Sequence, residues 1–364
     1  MTDPLAGTPA ADGFHLPAEW ERHAGCWMAW PIRPDNWRDG AAPAQRAYAA
    51  VAQAIAGAEP VTMAVPPGHL DGARALLGPD VGVVELDSDD AWMRDIGPTV
   101  VVDDDGERRG VDWVFNAWGG RSGGLYAPWD RDDRAAAAVC RAEGMARYRA
   151  PLVLEGGSIH VDGQGTLLTT EQCLLNPNRN PDLSRAQIED HLRRYTGAET
   201  IIWLGDGVWM DETDGHVDNL ACFVRPGVVA LTWTDERDDP QHAISLDARR
   251  RLEDAVDARG RSLEIHLVPQ PRPRPMTEEE AGGIEVAPGT KLRPGGARLA
   301  ASYVNFYVAD DRVVVPRLDP RLDDEAEALI GDLFPDRATV GVETREILLG
   351  GGNIHCITQQ IPAG

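Results

Sequence analysis

The chain has 364 residues, 43% of them hydrophobic and 26% charged, which is enough for one large domain or two ordinary ones with a full core. Its 59 acidic and 35 basic side chains give a formal net charge of −24. Nucleic-acid binding needs a basic surface, so this balance excludes it, whereas an acidic surface attracts small cations or simply keeps the protein soluble.

Helical and strand-like stretches alternate along the chain. Apolar residues about 3.6 positions apart, several after a Ser or Asp N-cap, predict helices at 41–56, 132–143, 184–195, 247–258 and 323–333. Short apolar runs between them predict strands at 61–65, 81–86, 166–170, 200–204, 228–233 and 312–316. The Pro- and Gly-rich segment 270–296 is too long and polar for a simple connection. It is either a binding loop or lid, or a surface insertion without a role.

An internal repeat underlies this alternation. LEGGSIH, beginning at Leu154, returns 195 residues later as LGGGNIH, beginning at Leu349. Comparable short segments begin between or before them, namely AWMRDIGP at Ala91, DGHVDN at Asp214 and ASYVNFY at Ala301. The regular return of strand and helix modules predicts radial repetition about a central axis rather than an open doubly wound sheet. We treat 1–364 as a single domain in which 1–14 is flexible and 270–296 is a loop insertion.

The cysteines and the N-terminal residues indicate the compartment. Five scattered cysteines form no CxxC pair, which argues against a zinc ribbon or a disulfide framework. The N-terminal residues lack a basic region and an apolar stretch of the signal-peptide kind, and no run is long enough to cross a bilayer. We expect a cytoplasmic protein without a membrane association.

Cys356 is the first candidate catalytic residue. It follows a Gly-Gly-Gly-Asn stretch and His355, where glycines allow a ligand to approach the backbone closely. A cysteine there is a candidate nucleophile if its surroundings hold it as thiolate. The alternative is a buried inert cysteine.

Two further segments carry candidate acids and a base. In a strand, His216 and Asp218 would point to the same face and place an imidazole beside a carboxylate. Asp95 lies between Trp92 and Arg94, where it is either a functional carboxylate or part of an ion pair.

Glu155 opens the glycine turn of LEGGSIH. The carboxylate would either orient His216 and hold it protonated, or cap backbone N–H groups.

These motifs together resemble the agmatine deiminase family. LEGGSIH, TEQCLLNPNRNP, DETDGHVDN, SYVNFY and LGGGNIHCITQQIP, with the earlier WPIRPDNW and WMRDIGP, occur in matching order from about Leu16 to Pro362. The family belongs to the guanidine-modifying superfamily, with arginine and peptidylarginine deiminases and amidinotransferases. The resemblance implies a five-bladed α/β propeller of ββαβ modules around a central active-site channel. It also implies hydrolysis of agmatine to N-carbamoylputrescine and ammonia, with no metal or organic cofactor.

The resemblance also implies roles for individual residues. Cys356 falls at the nucleophile, His216 at the general acid/base and Glu155 at the acid that orients the histidine. Asp95 and Asp218 fall at the clamp that holds the guanidinium.

Trp92 would line the same pocket as this clamp, and at the other end of the substrate Glu212 would meet the distal amine. Asp211 and Asp214 are close enough in sequence to replace Glu212 in that role. No motif offers an obvious pair of arginines for a substrate carboxylate, although Arg94, Arg121 and Arg179 lie in or near motifs.

Three other functions remain open. The same scaffold could act on a different guanidino compound or transfer the amidino group to an amine. A non-catalytic propeller could bind polyamines, although it would have no need of a thiol. A zinc enzyme could use His216, Asp218 and Cys356, although their spacing is poor. The expected partner is a small cationic guanidino substrate, and the chain is a possible homo-oligomer.

Overall fold

The computed structural model describes residues 3–364 and arranges its strands in five small sheets. The strands are β1 (His23–Ala29), β2 (Val61–Val65), β3 (Val81–Glu85), β4 (Thr99–Val102), β5 (Arg108–Val114), β6 (Ala146–Val153), β7 (Ile159–Val161), β8 (Thr166–Thr170), β9 (Thr200–Leu204), β10 (Ala221–Arg225), β11 (Val228–Trp233), β12 (Glu264–Pro269), β13 (Tyr307–Val308), β14 (Arg312–Arg317), β15 (Ala338–Glu343) and β16 (Thr358–Pro362).

Helices connect these strands. The α-helices are α1 (Ala42–Ala56), α2 (Leu70–Leu77), α3 (Met93–Ile96), α4 (Gly120–Gly123), α5 (Ala135–Ala142), α6 (Glu171–Leu174), α7 (Arg185–Thr196), α8 (Val217–Leu220), α9 (Pro240–Asp254), α10 (Glu278–Gly282), α11 (Asp323–Leu333) and α12 (Arg345–Leu349). Short 3-10 helices lie at Pro9–Asp12, Asp39–Ala41, Asp132–Arg134 and Gly156–Ser158. No helix described in residues 3–364 combines the length and the apolar character that crossing a membrane requires.

The five sheets repeat one topology. In four of them an antiparallel pair is extended by a parallel strand, in the orders β4-β5-β6, β7-β8-β9, β10-β11-β12 and β13-β14-β15. Each parallel step crosses through a helix, which is α5, α7, α9 or α11 in turn. The fifth sheet, β16-β1-β2-β3, uses both ends of the chain, because β16 pairs antiparallel with β1 and α1 leads to the parallel β2. The chain is therefore a mixed α/β fold of five ββαβ modules.

Apolar side chains between helix and sheet hold each module together. The inner face of α7 buries Ile188 and Leu192 against Val111 and Leu167 of two neighbouring sheets. Full burial of one such side chain contributes about 1.5–3 kcal/mol, so Leu192→Ala would cost about 2–5 kcal/mol of stability. Ser184 begins this helix with a capping box completed by Gln187.

Most predicted elements match the structure, and one helix differs clearly. The predictions for β2, β8, β9, β11 and α11 have the observed bounds, whereas the helix predicted at 247–258 is α9, which begins seven residues earlier and ends at Asp254. Asp239 caps it, accepting a hydrogen bond from the backbone N–H of Gln241 at 2.9 Å. Gln241 and Ser245 are buried and hydrogen-bonded to each other at 3.0 Å. Polar residues therefore occupy inward positions in the first half of the helix, where the apolar spacing that would predict a helix is interrupted.

The helix predicted at 132–143 is also divided in the structure. A 3-10 turn spans Asp132–Arg134, and the α-helix proper, α5, ends at Ala142.

The N-terminal segment lies against the body of the protein. Met1 and Thr2, part of the segment predicted to be flexible, lie outside the described residues. The backbone N–H of Leu5 donates to the carbonyl of Arg147 at 2.7 Å, and Phe14 is buried beneath the guanidinium of Arg109. The described part of the segment is therefore packed on the module that contains β4, β5 and β6.

Each repeated motif occupies the same place in its module. The segments that begin at Ala91, Leu154, Asp214, Ala301 and Leu349 lead directly into β4, β7, β10, β13 and β16, the first strand of each antiparallel pair. The polar residues of the five motifs therefore come from equivalent connections, and the contacts below show that they meet.

Candidate active site

His216 and Asp218 do not lie in a strand, and that prediction is wrong. His216 is the N-cap residue of α8, a single turn that also contains Asp218. Asp211, five residues before, accepts a hydrogen bond from the backbone N–H of His216 at 3.1 Å and fixes the start of the turn. The helical turn nevertheless brings the side chains of His216 and Asp218 to the same place, as the predicted strand would have done.

That place is the space beside Gly157. A Cβ atom on Gly157 would lie 2.6 Å from Nδ1 of His216, 2.8 Å from Oδ2 of Asp218 and 3.1 Å from Oδ1 of Asp95. Two modules thus supply an imidazole and two carboxylates around a residue of a third module that has no side chain. All three functional side chains are at most 5% exposed. This buried space brings two carboxylates and an imidazole together and leaves no room for a side chain at position 157.

Cys356 borders the same space. Its thiol donates to Oδ2 of Asp218 at 3.5 Å and accepts from Nδ2 of Asn305 at 3.2 Å. Trp92 lies close by, because a Cβ on Gly352 would be 2.5 Å from its ring and 3.0 Å from the sulfur. Burial, together with the carboxylates of Asp218 and Asp95, raises the pKa of the thiol well above its usual range. The surroundings therefore favour the protonated thiol over the thiolate.

A buried ion-pair network holds His216. Its Nε2 lies 3.4 Å from Oε2 of Glu155, whose other oxygen accepts from Nε of Arg179 at 2.8 Å. Burial lowers the pKa of His216, but Asp95 and Glu155 outweigh it and leave that pKa well above the usual range. Burial raises the pKa of Glu155, but Arg179 and His216 outweigh it and leave that pKa lowered. The network therefore favours a protonated imidazole and an ionised Glu155.

Asp95 has two firm hydrogen bonds and an unfavourable charge environment. Its carboxylate accepts from Nε1 of Trp118 and from the backbone N–H of Gly157, each at 2.9 Å. Burial raises its pKa to about 6, with Asp218 and Glu155 raising and His216 lowering it. An ionised Asp95 in this space is costly unless a cation joins it.

Asp218 has one partnered and one unpartnered oxygen. Oδ2 accepts from Nδ1 of His355 at 2.9 Å, and His355 in turn lies 2.9 Å from the carboxylate of Glu19. Burial raises the pKa of Asp218, but the bond to His355 outweighs it and leaves that pKa lowered. Oδ1 is buried and has no hydrogen-bond partner among residues 3–364. An ionised carboxylate oxygen in this state is a vacant acceptor for a ligand N–H group.

The acids after Trp209 fall into two groups. Asp211 is bonded to Thr213 and the backbone of His216, and Asp214 accepts from Arg179 at 2.9 Å. Both are therefore occupied within the protein. Glu212 faces the 270–296 segment instead, where Oε2 accepts from Nε of Arg293 at 2.8 Å. The sequence predicts Glu212 as a site residue, and the structure adds a guanidinium partner to it.

Among the described residues, three groups of donor atoms lie within 4.8 Å of one another, close enough to hold a metal ion. They are Glu155, Cys173 and His216; Glu19, His160 and His355; and His23, Glu59 and Asp310. In the first two groups the carboxylate is already bound by a buried guanidinium, from Arg179 at 2.8 Å and from Arg94 at 3.2 Å. These positive charges oppose a cation in those two places.

Sequence reasoning missed several residues that hold the site. Asn305, Arg179 and His355 lie inside quoted motifs, so their position was a usable signal, whereas Glu19 and Arg293 lie outside any repeat. Arg179 is the most connected of them. It donates to Glu155, Asp214 and Asn178 and to the carbonyls of Trp118 and Thr213.

The chain is similar to known proteins along almost its whole length. Residues 15–362 match the family model described as Porphyromonas-type peptidyl-arginine deiminase. A Shewanella baltica protein named putative agmatine deiminase is 56% identical over 361 residues, covering 99% of this chain and 97% of that protein. One from Shewanella sp. strain MR-7 is 57% identical over 360 residues, with the same coverage.

A solved structure has the same fold throughout. The agmatine deiminase of Enterococcus faecalis superposes with a TM-score of 0.97 at 46% identity, covering 99% of both chains. The fold and the buried thiol among carboxylates define a guanidine-modifying hydrolase that acts on the carbon–nitrogen bonds of linear amidines. The chain belongs to the Porphyromonas-type peptidyl-arginine deiminase family, and the resemblance drawn from its motifs is confirmed.

Proposed function

We propose that this protein hydrolyses agmatine to N-carbamoylputrescine and ammonia through a covalent intermediate on Cys356. One observation carries the proposal, namely the vacant oxygen of Asp218 beside a buried thiol. The opposing carboxylate of Asp95 makes the space complementary to a guanidinium, which is planar, positively charged and rich in N–H donors. The agmatine deiminase names of the relatives support the same substrate.

Binding of the guanidinium prepares the nucleophile. The N–H groups bind Asp95 and Asp218 in pairs and hold the central carbon near Cys356. The substrate's positive charge offsets the carboxylates that raise the pKa of the thiol, so the thiol loses its proton to water. The thiolate thus forms when substrate is present, and the empty enzyme is protected from side reactions.

Two displacements at the guanidinium carbon complete the reaction. The thiolate of Cys356 attacks and forms a carbon–sulfur bond, and protonated His216 gives its proton to the departing ammonia as a carbon–nitrogen bond breaks. Neutral His216 then takes a proton from water, which attacks the same carbon and breaks the carbon–sulfur bond. Glu155, held by Arg179, keeps the imidazole oriented through both steps.

The surrounding architecture fits this chemistry. We propose that the five ββαβ modules form blades of an α/β propeller and that residues 1–364 act as one domain. The motif-bearing connections then lie at its centre, where side chains from all five of them contact one another. A homo-oligomer and a cytoplasmic location stay part of the proposal, as does a reaction that needs no metal or organic cofactor.

One observation favours a second candidate substrate, a guanidino acid. Arg293 and Lys291 lie 2.5 and 3.9 Å from Glu212, so the far end of the site holds two cations and one acid. Ammonia release with agmatine, 4-guanidinobutyrate and arginine separates the candidates. We expect kcat/KM to be largest for agmatine, and a larger value for 4-guanidinobutyrate would replace it as the substrate.

A further inference from the structure

We infer that Arg293 occupies the place of the substrate's distal ammonium at Glu212, and that agmatine binding exchanges one cation for the other. The inference rests on the proposed function and on Glu212 as the acid for the distal amine. It makes Arg293, in the 270–296 segment, a specificity-determining residue.

The contacts of Glu212 argue for exchange rather than shared binding. Nε and Nη2 of Arg293 both lie on Oε2, at 2.8 and 2.5 Å, and Nζ of Lys291 lies 3.9 Å from Oε1. With both cations in place, an arriving ammonium meets one carboxylate and two positive charges. The repulsion is strong because the side chains of Glu212 and Arg293 are only 19% and 8% exposed.

Arg293 has other acceptors that remain when it leaves Glu212. Nη2 donates to the carbonyl of Gly350 at 2.8 Å, and Nη1 donates to Oδ1 of Asn36. Both acceptors are neutral, so a small shift of Arg293 away from Glu212 separates its charge from the arriving ammonium. The guanidinium keeps hydrogen-bond partners after this shift. A cavity of about 180 Å³ lies beside the pair, lined in part by Met210, Met276 and Leu348, and provides the room.

The glycines before Cys356 connect this pair to the reacting thiol. A Cβ on Gly351, whose φ is +108°, would lie 2.8 Å from Oε2 of Glu212 and 3.1 Å from Nη2 of Arg293. The next residue, Gly352, borders the sulfur of Cys356. The Glu212–Arg293 pair therefore lies along the same wall as the thiol, where the far end of an extended substrate would arrive.

The exchange also bears on the 270–296 segment. Its backbone N–H groups at Glu285 and Lys291 donate to the carbonyls of Pro34 and Leu125, at 2.8 and 2.9 Å. These hydrogen bonds hold the segment in place at the outer side of the site, and Arg293 is one of the residues that hold it there. Displacement of Arg293 would therefore link recognition of the distal ammonium to the position of this segment.

The test compares agmatine with butylguanidine, which has the same four-carbon chain without the ammonium, in Arg293→Ala and the native enzyme. We expect Arg293→Ala to lower the KM of agmatine about fivefold and to leave the KM of butylguanidine unchanged. Arg345→Ala is the matched control, because it breaks the 2.6 Å pair with Glu280 in the same segment without touching Glu212. The control is expected to leave both KM values unchanged.

Three results would overturn the inference. A higher agmatine KM in Arg293→Ala would make Arg293 a residue that positions Glu212. An unchanged agmatine KM would show that Arg293 and the substrate ammonium do not compete for Glu212. An equal change of KM for both substrates would assign the effect to the 270–296 segment as a whole. Arg293→Gln repeats the test if the alanine variant melts at a lower temperature. A native enzyme inactive on agmatine would instead refute the proposed function, so the two failures are distinguishable.

Discussion

The inner and outer ends of the site have opposite charge arrangements. Around Gly157, Asp95 and Asp218 face an imidazole and a thiol, and one carboxylate oxygen has no partner among the described residues. Around Gly351, the single carboxylate of Glu212 already has a guanidinium on it. Under the proposed function the inner end is completed by an incoming cation, whereas the outer end already has one. The proposal therefore assigns recognition of the guanidinium and selection of the tail to separate groups of residues.

The largest effect should come from the thiol of the inner end. Cys356→Ala removes the proposed nucleophile, and we expect kcat to fall at least about 10⁴-fold while the fold is retained. Cys140→Ala is the matched control, since Cys140 is equally buried but lies in α5, and it should keep native turnover. Ammonia release measures both. Turnover above about one per cent of native in Cys356→Ala would remove the nucleophile assignment.

Asp95 tests the anionic character of the inner end. Asp95→Asn keeps the size of the side chain and removes its charge, and we expect kcat/KM to fall about 10²-fold. In the native enzyme kcat/KM should decline as the pH falls through about 6, because burial raises the pKa of Asp95 to about 6. A kcat/KM that stays constant from pH 7 to pH 5 would contradict a need for the ionised group.

The same substitution should stabilise the empty protein. Because the folded-state pKa of Asp95 lies above its unfolded value, its contribution to stability is full at low pH and is lost as the pH rises through about 6. Asp95→Asn, which cannot ionise, should raise the free energy of unfolding at pH 7 by about 1–3 kcal/mol. Urea unfolding at pH 4 and pH 7 measures this, and an equal difference at both pH values would refute the charge explanation.

Arg179 tests the support behind His216. Lysine cannot reproduce five donated hydrogen bonds, so Arg179→Lys should lower kcat about 10–100-fold through a misplaced Glu155. Arg193→Lys changes an arginine whose side chain is 44% exposed on α7 and should leave kcat unchanged. A native kcat in Arg179→Lys would show that Glu155 needs no such support.

The smallest effect should come from the outer end. Glu212→Gln removes the acid proposed to meet the distal ammonium, and the KM of agmatine should rise about three- to tenfold with little change in kcat. The KM of butylguanidine should not change. A fall of kcat/KM as large as that expected for Asp95→Asn would contradict the distinction between the two ends.

The sequence predicts the inner end better than the outer end for a physical reason. Residues such as Glu155 and Cys356 lie in repeated motifs before the first strand of a module, so the repeat itself places them together. The local geometry of His216 was predicted wrongly, because a one-turn helix of four residues has no periodic signal. The recurrence of modules was visible as spacing and their number, five, was implied by the family resemblance, whereas their closure by β16 against β1 depends on pairing between the chain ends.

The sequence could not predict hydrogen-bond and ion-pair partners of site residues that come from distant parts of the chain. Glu19 reaches His355 across the whole chain, and Arg293 comes from a segment without periodic pattern. The sequence argument that the acids after Trp209 suit a distal ammonium was incomplete for this reason. A charge seen in a motif is not a free charge until its tertiary partners are known.

Under the proposed function, the thiolate of Cys356 attacks the guanidinium and forms a covalent intermediate. Intact mass spectrometry after rapid mixing with agmatine and acid quenching tests this step. We expect a transient mass increase equal to agmatine minus ammonia, located on Cys356 and absent in Cys356→Ala. Ammonia release at the native rate without any adduct, or an adduct on another residue, would contradict it.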